Sequence, residues 1–460
     1  MIKRTNHLRL KGLKVYSVSL GCTKNRVDTE EVLGYLAGRG AVLTDDYSSA
    51  DLAFVNTCGF IEEAQQEAIN TILELGSKKV DGKPILVVAG CLVEVYGSTI
   101  LARIEEVDGA IGVHSYKRLD NLFKLLFAGI KTVLKDKPSA EYISLAPRIL
   151  TTPAHSVNVK IAEGCSNRCS YCLIPSIRGD YRGRDEKSIL DEISILVSGG
   201  AREIVLIAQD TTAYGSEWGD GKSLSKLIGK IMQLPEKFWL RIMYTYPSRI
   251  DDDLIDLIAS ESRICNYLDI PIQHTDNLIL KMMGRHYNNT YLKSLIDKLR
   301  VTVPGIALRT TLMVGFPGET RSRFQGMLDF IESRPFEKMG AFVYSRQDGT
   351  TAVDQIRKVP RRIAERRRAE LMIKQQEIAL RLNRDMVGKN LIVLVDKAID
   401  SKENWYVGRS EHQAPDVDGV VYMHSDKPLK AGGWVRAKIS AVSPYNLLAL
   451  KVTPLDELPV

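Results

Sequence analysis

Apolar, β-rich runs punctuate this chain, and through its first three quarters they alternate with stretches of helical spacing. Such alternation constrains the fold strongly, because a strand that returns through a helix pairs in parallel with its neighbour. The first three runs are LKVYSVSLGC, DLAFVNTC and PILVVAGC, separated by the helix-like RVDTEEVLGYLAGRG and IEEAQQEAINTILELGSKK. They predict a small parallel α/β sheet. After a weakly patterned stretch from about 125 to 150, six more runs follow: VNVKIAEG, EIVLIAQD, FWLRIMYTYP, YLDIPIQH, IALRTTLMVGFP and MGAFVYS. Amphipathic segments lie between them, one carrying Ile189, Ile193 and Leu196, so an open or partial TIM-like barrel is expected, with its functional groups past the carboxyl ends of the strands. From Lys389 the character changes to short strands with Gly and Pro turns, LIVLVDKAI, NWYVGRS, GVVYMHS and GWVRAKISAV, which read as a small all-β barrel. The expected fold class is α/β with three modules, at 13–129, 151–382 and 385–456.

Length and composition agree with this. At roughly 100–200 residues per domain, 460 residues make two to four units. The 44% hydrophobic and 26% charged content excludes disordered, collagen-like and coiled-coil chains. No apolar run approaches the roughly 18 residues a membrane helix needs, and the basic start leads into a strand, so a cytoplasmic protein without a membrane partner is expected. The net charge of +7 permits a nucleic-acid or acidic partner without requiring one. Arg357 to Lys389 holds eleven basic and four acidic residues on a helical pattern, a solvated linking helix or a basic surface facing nucleic acid.

Seven cysteines are too few for a disulfide scaffold, and reduced thiols are expected. Three stand where the first three strands end, at Cys22, Cys58 and Cys91. Parallel strands end at one edge of their sheet, so these distant residues should meet in one crevice. Three others form the tight cluster Cys165-Ser-Asn-Arg-Cys169-Ser-Tyr171-Cys172 behind the first strand of the second series. Three thiolates on a short loop can hold three irons of a four-iron cluster and leave the fourth open to a ligand that is not protein. A zinc knuckle would need a fourth Cys or His, and no His follows nearby. Cys265 has no cysteine companion and reads as buried filler.

The Cys-x-x-x-Cys-x-aromatic-Cys pattern resembles that of the radical S-adenosylmethionine enzymes. The resemblance implies that Cys165, Cys169 and Cys172 hold a four-iron four-sulfur cluster whose open iron takes S-adenosylmethionine, with Tyr171 near the adenine. It further implies that Gly200, Gln209, Gly315 and Glu319, in strand-flanking segments, touch the same cofactor. Arg309, whose fork of donors matches a carboxylate, is a candidate for the methionine end or for an ion pair with a barrel acid. His274 in IPIQH reads equally as a site residue or a satisfied structural histidine. No catalytic side chain beyond the cluster ligands is assigned.

SLGCTKNRVDTE, VNTCGFIEEA and VVAGCL resemble the N-terminal domain of methylthiotransferases, whose three cysteines hold a second such cluster, and the tail from Lys389 resembles their TRAM module. Within that family one branch modifies an adenosine of tRNA and the other an aspartate of ribosomal protein twelve of the small subunit. LGCTKNRVDTEE, GCSNRCSYCLIPSIRGDYRGR, IAQDTTAYG, YLDIPIQHTDNLILKMMGR and GRSEHQAPDVDG look like the aspartate branch, although Thr23 replaces an expected proline. The resemblance then implies two 4Fe-4S clusters, S-adenosylmethionine, a ribosomal protein substrate, a low-potential electron donor and a sulfur donor. Charge points the same way: the tail from Lys389 holds nine basic and nine acidic residues, too neutral for gripping phosphates. Glu411, Asp416 and Asp418 are therefore expected to face a basic protein. The alternatives are the tRNA branch and, in a different class, a non-catalytic metal-stabilised RNA-binding protein.

Overall fold

The computed structural model describes residues 10–139, 141–145, 147–355 and 358–459. By compactness the chain divides into two units: residues up to 151 with 163–166 and 172–182, and residues 152–162, 167–171 and 183 onwards.

The first unit is built on six parallel strands in the order β2-β1-β3-β4-β5-β6. They are β1 (Lys14–Ser19), β2 (Val42–Leu43), β3 (Leu52–Thr57), β4 (Ile85–Gly90), β5 (Gly109–Ile111) and β6 (Thr132–Leu134). Helices α1 (Thr23–Ala37), α2 (Glu62–Ser77), α3 (Cys91–Tyr96), α4 (Thr99–Arg103) and α5 (Leu119–Phe127) connect them. Every residue of β3 is buried, as expected of a strand covered on both faces. Leu52 and Phe54 join one core with Leu33 and Phe123, while Ala53 and Val55 join the other with Ile72 and Val88. The sequence pattern shows three of the six strands. The other three are two or three residues long, and their place is set by backbone pairing, β2 on β1, β5 on β4 and β6 on β5, rather than by an apolar run.

The second unit contains a six-stranded parallel sheet ordered β14-β13-β12-β11-β10-β7. Its strands are β7 (Ser156–Lys160), β10 (Glu203–Ile207), β11 (Trp239–Ile242), β12 (Ile264–Asp269), β13 (Ala307–Val314) and β14 (Lys338–Val343), with the two-residue strands β8 (Ala162–Glu163) and β9 (Arg182–Gly183) on either side of the clustered cysteines. The sheet is open, as the six strand–helix units predict. Helix α6 (Ile174–Arg178) follows the cysteines, and α7 (Glu186–Ser198), α8 (Leu224–Ile231), α9 (Asp252–Ser260), α10 (Asn277–Met282), α11 (Asn289–Thr302) and α12 (Arg321–Ser333) fill the later crossovers. Their starts are local chemistry: the side chains of Asp185, Ser223, Asp251, Asn288 and Thr320 each accept a first-turn N–H.

Helix α13 (Arg361–Arg384) carries the basic run. It is more than a solvated linker, because Ala364, Arg367, Leu371, Gln375, Ile378 and Asn383 form a buried stripe at helical spacing. Arg367 donates to Glu319 Oε1 at 2.5 Å, and Gln375 Nε2 donates to the Phe336 carbonyl at 2.8 Å. Beyond it β15 (Asn390–Ala398), β16 (Trp405–Ser410), β17 (Val421–His424), β18 (Trp434–Val442) and β19 (Leu447–Leu455) close a barrel ordered β15-β16-β17-β19-β18. Val393, Val395, Val435, Ala437 and Ala449 fill it.

Candidate functional site

In the first unit Cys58 directly follows β3, Cys91 directly follows β4 and opens α3, and Cys22 directly precedes α1. Because β1, β3 and β4 are parallel neighbours, all three leave the same edge. The loops meet closely: a Cβ on Gly21 would lie 2.6 Å from Cys58 Cβ, and one on Gly59 would lie 2.8 Å from the Cys91 carbonyl oxygen. Gly90 is required at its turn, since its φ is +95° and a Cβ would run into the Asn56 side chain. Burial pushes the Cys91 thiol up to about 12 against the pull of Arg178, and burial likewise raises Cys58. The charge on Cys22 would add to both shifts, and that on Cys58 to the shift of Cys91.

Polar residues that the sequence reading did not single out surround this edge. Asn25 Nδ2 donates to the carbonyls of Thr57 at 2.9 Å and Leu20 at 3.2 Å, and Asn56 Nδ2 donates to the Asn25 carbonyl at 2.8 Å. Arg178 Nε donates to Cys91 Sγ at 3.3 Å. A buried cation aimed at a sulfur suits a thiolate, the form that binds iron. Among the described residues no group of three His, Cys, Asp or Glu side chains is arranged to hold a single metal ion. A cuboidal cluster seats its thiolates on separate corners, farther apart than one ion does. The donor set fits such a cluster.

The clustered cysteines lie on the loop behind β7. Cys165 and Cys172 belong to the first unit, where the Cys165 N–H donates to the Gly179 carbonyl at 3.1 Å. Gly164 has φ +77°, and a Cβ on it would lie 2.6 Å from that same carbonyl oxygen. Residues 167–171 belong to the second unit and are gripped by segments that follow its strands. Asn167 Nδ2 donates to Asp210 Oδ2 at 2.8 Å, and Arg249 Nη1 donates to the same oxygen at 2.7 Å. The Ser170 N–H donates to the Met283 carbonyl at 3.0 Å, and the Ala352 N–H to the Ser170 carbonyl at 2.8 Å. Arg285 Nη1 donates to Cys169 Sγ at 3.4 Å, its guanidinium stacked 4.3 Å from the Tyr246 ring centroid. Tyr171 meets Phe316 edge to face at 6.4 Å within an apolar cluster that includes Met283 and Ala352.

Of the residues expected at a cofactor, Tyr171, Gln209, Gly315 and Glu319 lie at or past the carboxyl ends of strands, and two do not. Gly200 stands before β10, at the opposite edge of the sheet, where φ +101° lets the chain leave α7. Arg309 is the third residue of β13 and is taken up by Asp418 at 2.7 Å and Asp269 at 3.6 Å, so it is the ion pair rather than the carboxylate clamp. The Glu319 side chain is fully buried between Arg367 and His274, and Gly315 N–H donates to its Oε1 at 3.0 Å, so it braces the GFPGE turn. His274 Nδ1 accepts from the Asp276 N–H at 2.9 Å, which leaves Nε2–H to donate to Glu319 at 3.3 Å. It is the satisfied structural histidine. Cys265 is 1% exposed, inside β12.

The terminal acids also differ from expectation. Asp418 Oδ2 accepts from Tyr267 Oη at 2.8 Å, and Glu411 Oε2 accepts from the Asn266 N–H at 3.0 Å. Only Asp416 of the three is exposed. Asp418 therefore fastens the terminal barrel to the sheet, because a buried carboxylate needs partners and finds them in Tyr267 of β12 and Arg309 of β13. Arg409 and Asp396 pair with each other at 2.9 Å. Setting aside these four bonded residues leaves eight basic and six acidic groups of nine and nine. The neutral count is thus no guide to a partner.

Models of three families match in chain order: Uncharacterized protein family UPF0004 over residues 14–112, the Radical SAM superfamily over 159–331 and the TRAM domain over 387–452. Among solved structures the fold resembles the radical S-adenosylmethionine methyltransferase TsrM from Kitasatospora setae, with TM-score 0.56, 14% identity and coverage of 75% of this chain and 74% of that one. The cobalamin-dependent S-adenosylmethionine radical enzyme OxsB has TM-score 0.50 at 13% identity, over 79% of this chain and 56% of that one. With these modules and its curated relatives, the chain is a radical S-adenosylmethionine methylthiotransferase. Curated relatives narrow the class. Ribosomal protein uS12 methylthiotransferase RimO of Pelotomaculum thermopropionicum is 41% identical over 437 residues, covering 95% of this chain and 98% of the relative. That of Trichlorobacter lovleyi is 42% identical over 440 residues, at 95% and 97%. The chain belongs to the RimO family of ribosomal protein uS12 methylthiotransferases. No helix among the described residues is long and apolar enough to cross a membrane.

Proposed function

We propose that this enzyme places a methylthio group on the β-carbon of an aspartate in ribosomal protein uS12, using two four-iron four-sulfur clusters. Cys165, Cys169 and Cys172 would hold the cluster that takes S-adenosylmethionine, and Cys22, Cys58 and Cys91 would hold the second. When bound, these groups supply the radical that removes hydrogen from an unactivated carbon and the methylthio group that replaces it. The chain's own residues hold, align and shield. Asn167, Asp210 and Arg249 keep the cysteine loop in place, Arg285 screens the Cys169 sulfur, and Tyr171 with Phe316 offers an apolar wall to an adenine. Gln209 and Gly315, past the ends of β10 and β13, are the remaining candidates for cofactor contact. The reading also includes the modules 13–129, 151–382 and 385–456, a low-potential electron donor, a sulfur donor and a cytoplasmic setting.

The observation that carries this reading is the convergence of Cys22, Cys58 and Cys91 at one sheet edge, in a chain whose other cysteine triad occupies eight residues. A second cluster separates methylthio transfer from simple radical chemistry. The test is intact-mass analysis of uS12 treated with the wild-type enzyme and with Cys58→Ala. Wild type should add one methylthio group to an aspartate, whereas Cys58→Ala should still cleave S-adenosylmethionine but leave uS12 unmodified. Loss of both activities in a folded Cys58→Ala protein would mean that the triads do not act separately. Unmodified uS12 alongside modified tRNA would overturn the substrate.

A further inference from the structure

Helix α6 ends in Arg178, within the compact unit that also holds Cys22, Cys58 and Cys91. The side chain is fully buried, with 1% exposure for the residue. Its Nη1 donates to Asp28 Oδ2 at 2.8 Å and Glu163 Oε2 at 2.9 Å, and its Nη2 donates to Asn25 Oδ1. Arginine ordinarily meets a carboxylate through two parallel bonds. Here both carboxylates crowd one nitrogen, an amide takes the second, and the Nε edge is left for the Cys91 sulfur at 3.3 Å. Asn25 is itself pinned to the carbonyls of Leu20 and Thr57, which adjoin the loops of Cys22 and Cys58. Leu173 and Ile177 pack on Cys91, so water competes little for the sulfur. One network thus ties a single cation to the loops of all three cysteines.

We propose that Arg178 is a positioning residue for the cluster assigned to Cys22, Cys58 and Cys91, hydrogen-bonding the Cys91 sulfur and raising the reduction potential of that cluster. The inference rests on that assignment. Hydrogen bonds to cluster sulfurs and burial are the protein's main means of setting such potentials. A donated N–H withdraws charge from the thiolate and favours the reduced cluster.

The experiment uses the full-length Cys165→Ala/Cys169→Ala/Cys172→Ala protein, reconstituted anaerobically with iron and sulfide so that only the first triad can hold a cluster. If this parent binds no iron, the assignment fails and the inference with it. If it binds four irons, Arg178→Lys and Arg178→Gln/Asp28→Asn are compared with it by potentiometric titration followed by electron paramagnetic resonance. The Asp28→Asn change removes a carboxylate that would otherwise be left buried beside an amide, which guards against misfolding. The double variant should be iron-loaded with a more negative midpoint potential, and Arg178→Lys should shift less because it keeps the charge. Loss of iron from the folded double variant with retention in Arg178→Lys would also support the hold on Cys91. An unchanged potential in the loaded double variant, or loss of iron from both folded variants, would mark Arg178 as a structural ion pair and overturn the inference.

Discussion

Charged residues within the strands of the six-stranded sheet and charged residues just past its strand ends are made from the same side chains and do different work. Within the strands, Glu203 of β10 is fully buried between Arg241 of β11 at 2.8 Å and Arg409 of the terminal barrel at 2.6 Å. Arg309 of β13 meets Asp418, and Trp239 stacks edge on with Trp434 at 4.6 Å. These ions are matched by other ions, and the terminal barrel is fastened by the match. Past the strand ends, Arg249 and Asp210 hold a loop, and Arg285 spends a donor on a sulfur. Closed pairing gives rigidity, while a guanidinium nitrogen set against a sulfur suits a thiolate. The contrast restates, for this chain, the division of an α/β barrel into a supporting end and a reacting end.

Substitution at Cys169 should divide the two regions most sharply. Cys169→Ala should abolish reductive cleavage of S-adenosylmethionine, read as 5'-deoxyadenosine by chromatography, with stability changed by less than about 1 kcal/mol because a half-buried thiol is small. Retained cleavage would remove the reacting role from that loop. Glu203→Gln should do the reverse: it leaves two buried guanidiniums short of a carboxylate and should cost about 3–5 kcal/mol in urea unfolding. The fraction that remains folded should still cleave S-adenosylmethionine.

The same carboxylate gives a pH signature. Burial alone would raise the Glu203 pKa, but Arg409 and Arg241 outweigh it and hold the group at about 2, against an ordinary 4.5. A group depressed in the folded state stabilises above its unfolded value and loses that contribution as pH falls. The stability gap between wild type and Glu203→Gln should therefore be constant from neutral pH down to about 5 and narrow between about 4.5 and 2. A gap that widened on acidification would contradict the pairing. The mildest change is Tyr267→Phe, which takes the hydroxyl from Asp418 Oδ2 and should cost about 1–2 kcal/mol without affecting cleavage. A drop in 5'-deoxyadenosine yield there would show that the two regions are not independent.

Much of this was legible in the residues. The runs ending in Cys22, Cys58 and Cys91 imply a shared edge because parallel geometry leaves no other choice, and the Cys165–Cys172 loop announces its own chemistry by spacing. Three sites were misjudged for one reason, and a fourth, Arg309, was left between two roles. Gly200, Asp418 and Glu411 were read by neighbours in sequence, whereas their roles depend on which end of a strand they occupy and on what lies opposite. Strands β2, β5 and β6 escaped because two or three residues carry no period. Arg178 is one of three arginines in IPSIRGDYRGR and Arg285 stands alone in MMGRHY, and neither local pattern marks a residue that will face a sulfur.

The sequence by itself determined the order and type of the longer elements, the succession of an α/β, a second α/β and an all-β region, and the two sets of thiols, since periodicity and residue chemistry are local properties. Tertiary structure decided where each charge is neutralised. A buried ion takes whichever partner the fold brings within about 3 Å, and Arg178 and Cys91 stand 87 positions apart in the chain, Arg309 and Asp418 109 apart, and Glu203 and Arg409 206 apart. No local pattern encodes such pairings.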